Sequence, residues 1–175
     1  YNRIITAYGN IKLHLAYIYY RENKWDESIA VYDDASTIFI EIGDYENYIY
    51  SLLMKANELR LSDRIIDSLK CYDLIKHIPV YGRLKKKNPN LYLQMMTYYG
   101  WSLYNAGKFK EAEEKLDEVE KMVDKKEGYL SRKDIGQMYY LRGVLLYNAG
   151  DYENCIKYCE TAQACLCKVY GEDTV

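Results

Sequence analysis

Proline is almost missing from these 175 residues, with two copies, and histidine, phenylalanine and tryptophan are as scarce, with two each. The histidines, His14 and His77, sit in no Cys, Asp or Glu cluster at ligand or triad spacing, which leaves hydrolytic and metal chemistry little to stand on. No glycine-rich phosphate loop of the Walker or dinucleotide-binding type occurs. No catalytic residue, metal ligand or cofactor is therefore expected in this segment. An apolar run of the roughly 18 to 20 residues that a membrane span needs is lacking, as is a secretory pattern at the start. A cytoplasmic chain without a membrane role is expected. Excess charge of one sign is lacking too: 24 basic against 26 acidic residues give a formal net charge of −2. Such a balance provides no broad attraction for nucleic acid, so direct nucleic-acid binding is not expected. Sustained period-2 alternation is also absent, so strands are not expected.

What is present is repetition. At Ala16, Ala56, Gly100 and Gly143 a small residue is followed at offsets of 3, 9, 12, 16 and 19 by residues of matching character. Offset 9 holds Trp25, Ile65, Phe109 and Tyr152; offset 12 holds Ser28, Ser68, Ala112 and Cys155; offset 16 holds Tyr32, Tyr72, Leu116 and Cys159. The third and fourth copies agree in letters as well, Leu103 to Phe109 matching Leu146 to Tyr152. Helical periodicity runs almost throughout and predicts eight helices, over 4–22, 25–42, 45–61, 64–78, 89–106, 109–125, 132–149 and 152–169. Gly43, Gly107, Gly128, Gly150 and Gly171 fall at the expected turns, where positive φ is tolerated. Asn88-Pro89 reads as an N-cap followed by proline in the first turn, and Ser131 with Asp134 as a variant capping box.

Gly100 and Gly143 lie inside expected helices, where glycine costs about 1 kcal/mol relative to alanine. They read as packing residues that let a partner helix approach. The segment from His77 to Asn88, with Pro79, Gly82 and the run Arg83-Leu84-Lys85-Lys86-Lys87, reads as a mobile, solvated connector, the competing reading being a basic docking loop. The acidic residues from Glu111 to Glu120 alternate with lysines and read as a solvated helix face. Five cysteines, an odd number without a secretory pattern, read as reduced thiols. Cys155 and Cys159 lie one turn apart, but their repeat equivalents are packing positions, and core thiols are expected there in preference to a zinc site.

A small residue, a bulky one three later, a turn, then small and aromatic residues on a second helix resembles the tetratricopeptide (TPR) repeat. The resemblance covers essentially the whole chain. It implies an all-α, right-handed solenoid of about four antiparallel helix pairs, a single array over 1–175 with repeats at 4–42, 45–78, 89–125 and 132–169. The spacings of 40, 44 and 43 residues between the small positions exceed the roughly 34 of the standard repeat, which is similar to the long-repeat type found in some bacterial peptide-sensor and kinesin-light-chain-like arrays. Lys12, Lys55 and Arg142 stand where the family prefers apolar residues, and the proline that closes each repeat is missing. Tyr170-Gly171-Glu172-Asp173-Thr174 resembles the loop before another helix, so the chain is expected to be a fragment of a longer protein.

In the family, binding lies on the concave face lined by the first helix of each pair. Offsets −6, −3, +1, +4 and +5 form one stripe on that helix. From this stripe the resemblance implies a peptide-binding set of Tyr17, Arg21, Tyr50, Asn57, Arg60, Gln94, Thr97, Trp101, Tyr104, Asn105, Gln137, Tyr140 and Asn148. Carboxamides bond a peptide backbone in both senses, and aromatic faces offer contact area at low entropic cost. With only Arg21 and Arg60 basic, the stripe does not fit the acidic carboxyl-terminal tails that some family members grip. The expected partner is a peptide or protein segment, held by the sensing or docking part of a larger regulatory protein. Against this stands packing of Tyr20, Tyr104 and Tyr147 against the neighbouring repeat, and helix termination by Asn105 and Asn148. A structural adaptor that uses the convex face or self-associates is the alternative function.

Overall fold

A computed structural model describes residues 2–125 and 130–170, and among these residues it is helical with no strand. The described residues form nine helices: α1 (Asn2–Arg21), α2 (Trp25–Glu41), α3 (Tyr45–Leu61), α4 (Ile65–Lys76), α5 (Tyr81–Lys87), α6 (Pro89–Asn105), α7 (Phe109–Asp124), α8 (Arg132–Asn148) and α9 (Tyr152–Tyr170). The eight expected helices are all there, each end within two residues of its expected position. The ninth, α5, corrects the reading of His77 to Asn88 as an irregular connector. Leu84 inside the basic run is 1% exposed, and burying that side chain gives the lysine-rich turn a reason to coil.

The chain divides into two compact units, Tyr1–Arg83 and Leu84–Val175. In the first, α1 packs on α2, α2 on α3 and α3 on α4; in the second, α6 packs on α7 and α8, α7 on α8, and α8 on α9. The repeated positions build the core of each. Ala16 and Ala56 are fully buried in the first unit, Gly100 and Gly143 are buried in the second, and so are the offset-19 residues Ala35, Ile75, Val119 and Ala162. Offset 12 has a specific use in the first unit. The Ser28 hydroxyl donates to the carbonyl oxygen of Ala16, and the Ser68 hydroxyl to that of Ala56, both at 2.7 Å. The same sequence interval thus ties α2 to α1 and α4 to α3.

Each hairpin turn also repeats. At offset 7 the chain enters the left-handed region at Asn23, Asp63, Gly107 and Gly150, with φ of 58°, 63°, 73° and 80°. The amide of the next residue then reaches back five residues, as in Lys24 to Tyr19, Arg64 to Leu59, Lys108 to Leu103 and Asp151 to Leu146. This is the Schellman closure, which satisfies the last carbonyls of the first helix. Gly43, between α2 and α3, makes the same turn, with φ of 71° and the Asp44 amide bonded to Phe39. Gly128 and Gly171, and the Gly171–Thr174 segment, lie outside the described residues.

Asn88 caps α6 through its side chain, which accepts from the Leu91 amide at 3.1 Å, with Pro89 first in the helix. The α8 cap differs in detail from the expected box. The Ser131 side chain accepts from the Asp134 amide at 3.5 Å, but the Ser131 amide donates to the Asn90 side chain at 2.7 Å. Asn90, at the start of α6, in turn donates to the Asp134 carboxylate at 3.2 Å. A side chain from another helix therefore takes the return half of the motif.

Candidate functional site

The stripe residues of the second unit assemble. Trp101 on α6 and Tyr140 on α8 place their ring centroids 5.5 Å apart, and Trp101 meets Tyr104 edge-on at 5.8 Å. The Asn148 carboxamide, at the end of α8, donates to the Tyr104 hydroxyl at 2.7 Å. Tyr140 remains 51% exposed, and Asn105 and Asn148 are exposed. Packing of α6 against α8 thus turns about one turn of α6 and about two turns of α8 into a joint aromatic and amide surface. Gln94 and Gln137 are half-buried on the same two helices. Thr97 departs from the stripe: it is 1% exposed, which withdraws its side chain from any ligand at the surface. Its hydroxyl has no hydrogen-bond partner among the described residues.

In the first unit, Arg21 donates to the Tyr17 hydroxyl at 3.2 Å, and its guanidinium lies 6.0 Å from the centre of that ring. Tyr17 stacks on Tyr20 at 5.9 Å. On α3, Arg60 donates to the Asn57 side chain at 2.9 Å, and Tyr50 is half-buried. Offset 4 has a packing duty as well. Tyr20 meets Trp25, Tyr104 meets Phe109 and Tyr147 meets Tyr152, at 5.6, 5.5 and 5.6 Å. In three repeats an aromatic ring at the end of the first helix therefore leans on the first residue of its own second helix. Tyr147 still leaves 61% of its surface to solvent, so this duty and an exposed face coexist.

A feature outside the stripe lies in the first unit, a cleft of about 500 Å³ among α2, α3 and α4. Its buried apolar lining is Ile29, Leu52 and Leu59, the half-exposed Leu74 stands at its edge, and Asp33, Lys55, Arg64, Asp67 and Lys70 supply charge. These charges are mutually engaged, Lys55 with Asp33 at 2.6 Å and Lys70 with Asp67 at 2.8 Å. Cys71 also lines it, and burial pushes that thiol up to about 11, the opposite of an activated nucleophile. Sequence reasoning did not find this cleft. The available signal was Lys55 at a position expected to be apolar.

That signal recurs in the second unit. Arg142, at the same repeat position as Lys55, bridges Asp117 and Glu120 of α7, the latter at 2.9 Å. Asp33 and Asp117 are themselves repeat equivalents, both at offset 17. Lys12 pairs with Asp34 at 2.8 Å. The three unexpected cations are therefore long side chains whose stems lie along the helix pair while the heads meet a carboxylate on the neighbouring helix. Glu120 additionally accepts from the Tyr158 hydroxyl at 2.6 Å, and this hydrogen bond, with burial, pushes the phenol up to about 12.

One buried acid has no such cation. Glu58 on α3 is 2% exposed and its Oε2 has no hydrogen-bond partner among the described residues. Burial pushes its carboxyl up to about 7, with the Ser28 hydroxyl drawing it back only in part. Among the described residues no group of three or more His, Cys, Asp or Glu is placed to hold a metal ion. None of their helices is long and apolar enough to cross a membrane. Compared with protein-family models, with curated proteins and with solved structures, the chain matches none.

Proposed function

We propose that this chain is a non-catalytic binding module of the TPR type, a right-handed solenoid that takes an extended peptide or protein segment on the stripe of its first helices, and that it serves as the docking or sensing part of a larger cytoplasmic protein. The observation that carries this reading is the joining of Trp101, Tyr104, Tyr140 and Asn148 across α6 and α8. Aromatic rings held in place by one another lose little entropy on contact, and amides beside them can bond a peptide backbone at once as donor and acceptor. Asn57 and Arg60 on α3 offer a comparable polar pair.

A peptide-library screen on the chain tests it, repeated with Trp101→Ala, Tyr140→Ala and Asn57→Ala. The expected result is capture of a peptide family by the parent chain, with loss in the variants and little change in melting temperature. Equal capture by all four proteins would remove the stripe from consideration. A second reading, an adaptor that self-associates, is favoured by Ile4, Tyr8, Ile11 and Ile18 of α1, all about half or more exposed. These four fall on one side of α1, roughly a third of a turn from Tyr17 and Arg21. Sedimentation of the parent chain and of Ile11→Lys distinguishes it, since self-association through this side would be abolished by the charge.

A further inference from the structure

In the fourth repeat the positions at offsets 12 and 16, elsewhere a hydroxyl or methyl and a bulky side chain, are both thiols. Cys155 and Cys159 lie one turn apart on α9, half-buried and not joined to each other, with sulfurs 4.0 Å apart. Their equivalents behave otherwise, Ser28 and Ser68 turning their hydroxyls to a backbone carbonyl of the preceding helix. Room for the second sulfur comes from Gly143. A Cβ at that position would stand 2.7 Å from the Cys159 sulfur, so the absent methyl is the space in which the sulfur sits.

A direct disulfide suits this arrangement poorly. Residues four apart on a helix hold their Cβ atoms about 5–6 Å apart, whereas a disulfide needs roughly 3.5–4.5 Å. A bridging atom suits it well. With metal–sulfur bonds of about 2.3 Å, sulfurs 4.0 Å apart subtend roughly 120° at a shared ion. The class of ion follows from the donors around it. Among the described residues nothing extends the pair to a set of three or more His, Cys, Asp or Glu, which leaves a four-ligand zinc site or an oxygen-lined site for a hard cation incomplete. Two soft thiolates favour a soft ion of low coordination number.

We propose that Cys155 and Cys159 form a dithiolate site for a monovalent, thiophilic ion of the copper(I) class. On binding, both S–H bonds break and two protons pass to solvent, two metal–sulfur bonds form, and no electron changes hands. An exogenous small thiol can complete a third position on the solvent side. This site is independent of the peptide-binding stripe.

The test uses the whole chain under anaerobic conditions, titrated with copper(I) buffered by a competing chelator. The expected result is one equivalent retained per chain, thiolate-to-metal charge-transfer absorption in the ultraviolet, and a melting temperature that rises with free copper(I). Cys155→Ala, which installs the residue found at the equivalent Ala112, and Cys159→Ser should each lose more affinity than the roughly 10- to 100-fold that removal of a supporting partner costs. Cys165→Ser and Cys167→Ser should bind as the parent does. If Cys155→Ala melts early, Cys155→Ser, which installs the hydroxyl of Ser28 and Ser68, replaces it. Retention in the Cys155 and Cys159 variants, loss in the Cys165 or Cys167 variants, or no copper held by the parent chain would each overturn the assignment.

Discussion

Two residues show how far a single environment reaches. Gly143 is buried against the Cys159 sulfur, at a distance no real Cβ tolerates, whereas a Cβ at Gly100 would meet the flexible end of Leu141 at 3.0 Å. Gly143→Val is therefore expected to destabilise by about 1–3 kcal/mol through overpacking, and Gly100→Ala to cost less than Gly143→Ala, as read from chemical denaturation midpoints. Their packing role was legible because both glycines interrupt helices at the repeat's small position. Glu58 was not legible in this way, since nothing in the letters separates a buried glutamate from the many solvated ones. Folded Glu58 keeps its proton up to about pH 7, while the unfolded carboxyl releases it near 4.5. Between these values the folded state binds the extra proton, so the contribution is full below pH 4.5 and is lost as the pH rises through 7. The loss amounts to at most about 3 kcal/mol. Thermal melts across this range should show Glu58→Gln gaining on the parent chain as pH rises; a constant difference between the two would remove Glu58 as the cause.

Helices and turns were the most legible level, because their signals are local. Apolar period, glycine at the turn and Asn-Pro at a helix start each act within a few residues, and α6 begins where Asn88 and Pro89 place it. Two turns were missed as left-handed positions because they carry Asn23 and Asp63 in place of glycine, although after glycine Asn and Asp are the residues that tolerate that conformation best. Asp63→Gly removes its Cβ from a strained φ of 63° and is expected to stabilise by about 0.5–1 kcal/mol. The check is a higher urea midpoint at unchanged slope. At α5 the local reading failed for the opposite reason: Gly82, Pro79 and the lysine run describe a loop, and burial of Leu84 overrode them. The Ser131 cap shows the same limit, since its return hydrogen bond comes from Asn90, 41 residues earlier.

For the whole molecule, charge and binding separate. The chain carries a net charge of −2 and its stripe holds few charges, Arg21 and Arg60 among them. Binding of a captured peptide is therefore expected to change by less than about threefold between 50 and 500 mM salt, where screening removes most long-range attraction. A tenfold or larger loss in a binding isotherm would transfer recognition to the charged cleft of the first unit. That cleft, and the carboxylate partners of Lys55 and Arg142, could not be read from sequence, because each joins residues at least 22 positions apart. The sequence alone determined the eight repeat helices, their pairing into hairpins and the small residues at the seams, since periodicity and turn chemistry repeat at short range and four copies reinforce one another. Only the tertiary structure decided which polar and aromatic side chains meet: that Trp101 joins Tyr140, that Thr97 is withdrawn, that Glu58 is buried without a cation and that two sulfurs share the space left by Gly143. Such meetings depend on how neighbouring helices roll and slide against each other. The packing of whole side-chain sets fixes that, and no single spacing records it.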